Sequence, residues 1–164
     1  MYPVRLGVKT AEKRIRALLK NNHHAEALLT AVFTYEKTIH RTLKQLIVSS
    51  GFRSKDAEKL LKNIQGFNRQ KNIWPCFDPQ NRNLPELIDN KHWQHISKAV
   101  KMRNDLVHGV RAYNLDLCKE VTEEILALIS HTIEQFETQY GFNGWTRITV
   151  RIKSKLHSDP KIKT

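Results

Sequence analysis

A chain of 164 residues with 28 lysines and arginines against 16 acids, a formal net charge of +12, is long enough for one domain with its own hydrophobic core. With 40% hydrophobic residues, no apolar run near 18 residues and no apolar leader in MYPVRLGVKT, the composition argues against wholesale disorder, a transmembrane helix and a secretory signal. Cys76 and Cys118 make neither a disulfide framework nor a zinc site, so a reducing cytoplasm is the simplest setting, and a pI near 9.9 suits an anionic partner, above all nucleic acid.

The chain reads as a succession of helices. Thr10 is placed to cap a short helix with Ile15, Leu18 and Leu19 on one face. From Asn22 to Ser50, Leu28, Ala31, Val32, Tyr35, Ile39, Leu43, Leu46 and Ile47 recur at steps of three and four, the pattern of a long amphipathic helix, and Gly51 fits its end. Ser54 opens a third helix with Ala57, Leu60, Leu61 and Ile64 inward, stopped near Gly66. Residues 66–83 carry two prolines and several asparagines and read as a loop. In it Arg69, Lys71 and Arg82 are interleaved with Phe67, Trp74 and Phe77. Cations and rings so mixed can contact single-stranded nucleic acid, although buried aromatics more commonly pin a loop to a core. Arg111 joins Arg69, Lys71, Trp74 and Arg82 as a candidate RNA contact.

A short turn at 84–90 leads to a helix over about 91–107 with Trp93, Ile96, Ala99 and Val100 inward. A last long helix over about 114–140 turns Cys118, Val121, Ile125, Leu128, Ile129, Ile133 and Phe136 inward. Beyond Gly141, Ile148, Val150 and Ile152 alternate with Arg147, Thr149, Arg151 and Lys153, as in a strand with one basic face. The expected architecture is all-α: a four- to five-helix bundle over residues 1–140 and a short basic, β-like extension over 141–164.

The chemistry-bearing residues are Arg103, Asn104 and His108 in MRNDLVHGV. On an unbroken helix Arg103 and His108 stand ~140° apart. They converge only if the helix ends at His108, where Gly109 releases the backbone. A guanidinium, an amide and an imidazole so grouped suit metal-free RNA cleavage. There the 2′-OH attacks the adjacent phosphate, imidazoles move protons, and Arg holds the charge of the transition state.

Arg followed by a polar residue and then a His, between two core helices, resembles the signature of the HEPN-domain ribonucleases, with Arg103, Asn104 and His108 in the motif positions. The resemblance spans roughly residues 10–140. It implies a homodimer with both motifs in one cleft, no cofactor, and a metal-independent endoribonuclease acting as a toxin or defence effector. It also implies an antitoxin of nucleotidyltransferase type. Some members carry a Tyr two residues after the His; here that position is Val110 and the nearest Tyr is Tyr113. Two further Arg-to-His spacings, Arg16 to His23 and Arg151 to His157, lack the polar residue and the flanking long helices. The alternative in another class is a noncatalytic HEPN-like module that binds RNA, nucleotide or a protein. A helix-turn-helix DNA binder fits the charge but lacks an exposed recognition helix.

The remaining candidates read as structural. In that reading Arg103 pairs with Asp105 or an acid of the last helix, and His108 caps its own. His92 and His95 have no acid or Cys close in sequence for a metal. His23 and His24 read as surface residues, Glu36 and His40 as an ordinary i,i+4 contact, and Cys118 as a buried thiol.

Overall fold

In the computed structural model, residues 7–146 and 149–156 are described. Among them the secondary structure is all helical: α1 (Val8–Lys20), α2 (His24–Ser49), α3 (Ser54–Asn63), α4 (Phe67–Phe77), α5 (Leu84–Ile88), α6 (Asn90–Val107) and α7 (Leu115–Tyr140). The all-α class agrees with the periodicity, but the described residues hold seven helices rather than four or five.

The two additional helices lie where a loop and a turn are expected from sequence. In α4, Phe67, Gln70 and Trp74 are buried at helical spacing. Pro75 sits inside its last turn, where the missing N–H costs one helical bond. In α5, the Glu86 carboxylate accepts the Asn83 backbone N–H at 2.8 Å, and Pro85 stands in the first turn, a position that tolerates it. Thr10 is not a cap: α1 starts two residues earlier, after Gly7.

α2 is the axis of the domain. It packs along α7 and also meets α1, α3, α4 and α6. Leu28, Tyr35, Ile39, Leu43 and Ile47 of α2 are fully enclosed with Trp74, Ile96, Ile125 and Phe136. A second stripe on α2 is polar. Thr30, Thr34, Thr38 and Thr42 each donate a hydroxyl to the carbonyl four residues earlier, which lets small polar side chains be buried without orphaned groups.

The C-terminal segment lies against α2 and the α2–α3 turn. Arg41 Nε donates to the Gly144 carbonyl at 2.6 Å, and Gln45 accepts the Gly144 N–H and donates to the Thr146 carbonyl. Trp145 Nε1 donates to Thr38 Oγ1 at 3.0 Å, with Arg41 over its ring. Farther on, Arg151 exchanges bonds with Ser54 and sends Nε to the Val48 carbonyl, while Lys155 N donates to Gly51 O. The expected strand with one basic face does not form at the described positions. Arg151 is half-buried, Val150 and Ile152 are exposed, and residues 149–156 form no strand; Arg147 and Ile148 lie outside the described residues. Backbone carbonyls around the α2–α3 turn want donors, and Arg151 supplies one that an apolar side chain cannot.

Candidate functional site

The turn between α6 and α7 is built by Asp105. Its backbone carbonyl accepts the Val110 N–H at 2.9 Å, and its carboxylate accepts the Tyr113 hydroxyl at 2.6 Å. That bond pushes the Tyr113 hydroxyl above its ordinary pKa, with burial adding to it. Gly109 adopts φ +64° just past the helix. Asn114 then starts α7 by accepting the Asp116 N–H at 2.7 Å. The turn is therefore held from both sides, and His108 is the residue that closes α6, its N–H donating to the Asn104 carbonyl at 3.0 Å.

The three motif residues divide into two sets. Asn104 and His108 are one helical turn apart, both exposed. Among the described residues the His108 imidazole has no hydrogen-bond partner. Arg103 is drawn the other way, onto α2, where its Nη2 donates to Glu36 Oε1. Both side chains of this pair are about four-fifths buried, with 21% and 19% of their surface exposed. The release at Gly109 therefore does not swing His108 round to Arg103: His108 keeps a near-helical backbone, with φ −91° and ψ 2°. Burial raises the Glu36 carboxyl above its ordinary pKa, and the Arg103 charge and hydrogen bond pull against that rise. Arg103 Nε is enclosed and has no acceptor.

The partner of Arg103 is thus Glu36, not Asp105 or an acid of α7, and Glu36 does not engage His40. His40 Nδ1 instead faces Gln70 Nε2 at 3.0 Å. His24 is not a surface residue: it is buried, and its Nδ1 lies 3.0 Å from the Leu115 carbonyl, which ties the start of α2 to the start of α7.

The candidate RNA contacts are scattered. Trp74 offers no face for stacking. It is fully buried, stacks on Phe136 with centroids 5.3 Å apart, and donates Nε1 to the Tyr140 hydroxyl at 3.2 Å. Arg82 is committed to Asp78 and Gln139. Burial works against the Asp78 charge, but bonds from Arg82, Tyr140 and the backbone of Arg82 and Gln80 outweigh it and pull the carboxyl down to about 2. Lys71 is half-buried over the Trp93 ring at 5.7 Å, Arg69 is exposed on α4, and Arg111 is exposed at the turn over the Tyr113 ring at 5.1 Å. Arg111 alone of these five belongs to the α6–α7 turn.

The histidines of α6 meet α7: His92 packs its ring on that of His131 at 4.6 Å, and His95 Nδ1 lies 3.0 Å from Glu124 Oε2. Among the described residues no three His, Cys, Asp or Glu come together as a metal centre. Cys118 is buried, and burial raises its thiol pKa. No described helix is long and apolar enough to cross a membrane. No protein-family model, no curated protein and no solved structure matches this chain.

Proposed function

We propose that this protein is a metal-independent endoribonuclease of the HEPN type, working as a homodimer in the cytoplasm as a toxin or defence effector. The observation that carries the reading is the motif Arg103-Asn104-x3-His108 at the end of α6, with an exposed amide and imidazole on one face of a braced turn. In the reaction the substrate 2′-OH loses a proton to an imidazole and its oxygen attacks the adjacent phosphorus. The bond from phosphorus to the 5′-oxygen breaks, and that oxygen takes a proton from a second imidazole. The products are a 2′,3′-cyclic phosphate and a 5′-hydroxyl. One chain offers one such imidazole, so two His108 across a two-fold axis divide the acid and base roles. Arg103 stabilises the phosphorane-like transition state, and Asn104 orients the phosphate or the imidazole. A nucleotidyltransferase-type antitoxin is the proposed partner. Val110 at the modifiable Tyr position argues that any such control uses another residue.

The test is RNA incubated with purified protein in excess EDTA. Cleavage that leaves a cyclic phosphate, and that disappears in His108→Ala, supports the reading. Intact RNA with folded protein overturns it. A second reading, a noncatalytic HEPN-like module, draws on one observation: the Arg103 guanidinium is already engaged by Glu36.

A further inference from the structure

One turn along α2 from Glu36, on the same side of the helix, His40 and then Lys44 line a cavity of about 300 Å³ between α2, α3 and α4. Its other walls are Leu61, Lys62, Gln65, Gly66, Gln70 and Glu58. The volume lies at the lower end of small-molecule sites and is large enough for one nucleotide unit. Gly66 stands in the wall at φ +96°, and a Cβ there would meet nothing within 4 Å, so the mouth is open on that side.

The polar groups have fixed roles. Gln70 Nε2 points at two acceptors, His40 Nδ1 at 3.0 Å and the Ile64 carbonyl at 3.5 Å. Nδ1 then accepts, and a neutral His40 carries its proton on Nε2. Burial lowers the His40 pKa, and the nearby Lys44 and Arg41 charges lower it further, so the imidazole is neutral at pH 7. Gln70 is buried, and its Oε1 makes no hydrogen bond among the described residues. The His40–Gln70 pair thus offers one N–H donor and one carbonyl acceptor, mutually locked. At the rim Lys44 is paired with Glu58 at 2.6 Å, which leaves Lys62 without an ion pair among the described residues and the rim positive by one charge.

We propose that this cavity is a nucleotide subsite: His40 and Gln70 read the hydrogen-bonding edge of a base, Leu61 supplies apolar contact, and Lys62 holds its phosphate. A donor beside an acceptor matches the edge of a base and does not match a bare phosphate, which wants donors only. Resting on the ribonuclease reading, the natural occupant is a residue of the RNA flanking the one that is cut. The cavity begins about one helical turn from the Glu36 that anchors Arg103.

The test uses binding, so it does not depend on cleavage. His108→Ala protein is titrated with the four 5′-ribonucleotides, with inorganic phosphate, and with short single-stranded RNAs differing at one position. Amide shifts of Gly66 and Gln70 in NMR spectra report occupancy of the cavity. The expected result is a preference for one base at these amides, in mononucleotide and RNA alike. Gln70→Ala should lower that preference about tenfold. Lys62→Ala, an exposed change that leaves folding aside, should weaken all four nucleotides together. Binding by RNA but not by mononucleotides, at the same amides and with the same preference, assigns the site to the polymer. Phosphate binding as well as any nucleotide, or a base preference untouched by Gln70→Ala in folded protein, overturns the proposal. The two readings fail separately. Cleavage without base selectivity here removes the subsite alone, whereas selective binding in a protein that never cuts RNA removes the nuclease alone.

Discussion

The guanidinium of Arg103 reaches from α6 to the carboxylate of Glu36 on α2, and the pair is largely shielded from water. This ion pair joins the motif helix to the axis of the domain. It also offsets the cation that the proposed phosphate chemistry uses, so in that proposal Arg103 acts while Glu36 shares it. Such a pair keeps the guanidinium in one orientation and tempers its charge.

Arg103→Ala therefore has two effects that can be separated. It removes a cation from the site and strands a buried carboxylate whose pKa burial already raises. The stranded Glu36 should cost about 2 kcal/mol, read as a lowered urea midpoint. In the double variant Glu36→Gln/Arg103→Met most of that loss should return, because no buried charge is left unpaired. RNA cleavage should stay at least ~100-fold down in both. A double variant that cuts RNA like the parent would reduce Arg103 to a structural residue.

His108→Ala should behave differently. The imidazole is exposed and has no partner among the described residues, so the urea midpoint should not move while cleavage is lost. Mixing His108→Ala chains with an excess of parent chains places most of the variant in heterodimers that keep one imidazole per cleft. Loss of activity beyond the fraction of chains replaced is the expected outcome of a composite cleft that divides acid and base between two His108. Activity in a monomer at micromolar concentration, by light scattering, would exclude one.

The helices that proved legible are those whose apolar residues recur without interruption. α2, α6 and α7 have bounds within two residues of those read from periodicity, because apolar residues repeat there at steps of three and four. α4 was not legible, since its buried face mixes the rings of Phe67 and Trp74 with the amide of Gln70, and Pro75 interrupts its last turn. The place of the candidate residues in the fold was legible, but not the direction of Arg103. Arg103, Asn104 and His108 stand in the last part of α6 and at its end, where the periodicity puts them, yet nothing in the sequence ties Glu36 to Arg103, 67 positions away. Helical phase holds a usable signal: on α2 an acid at 36 shares a face with His40 and Lys44, beside an otherwise apolar stripe. The same limit applies to Trp74, whose burial depends on Phe136 and Tyr140, two residues of α7.

Asp78 gives the fold an acid-sensitive joint. Its carboxylate binds Arg82, Tyr140 and backbone N–H groups at the end of α4, and its pKa falls from 3.8 to about 2. A depressed folded-state pKa stabilises above the unfolded value and is lost as pH falls through the folded one. The joint should thus contribute fully above about pH 5, about 2 kcal/mol, and lose that between pH 4 and 2. Urea midpoints recorded from pH 6 to pH 2 should fall less steeply in Asp78→Asn than in the parent. Parallel curves would mean that the acid response arises elsewhere.

Gly144 sets how the C-terminal segment sits on α2. Its φ is +81°, and a Cβ there would lie 2.7 Å from the Thr42 backbone nitrogen and 2.9 Å from Arg41 Cβ. Both objections act in one direction: the left-handed backbone disfavours a side chain, and the helix backbone opposite cannot retreat. Gly144→Ala should therefore lift the segment rather than deform α2. The Arg41, Gln45 and Thr38 bonds to residues 144–146 would open together, at a cost of about 2 kcal/mol. Far-ultraviolet circular dichroism should keep its helical intensity, since α1 to α7 do not depend on that strap for their own hydrogen bonds. The specific reporter is the Trp145 indole N–H, which is bonded to Thr38 Oγ1 at 3.0 Å. Its exchange with solvent, followed by NMR, should accelerate strongly in Gly144→Ala while the buried Trp74 indole stays protected. Equal protection of the Trp145 indole in both proteins would show that the close approach at Gly144 does not hold the segment in place.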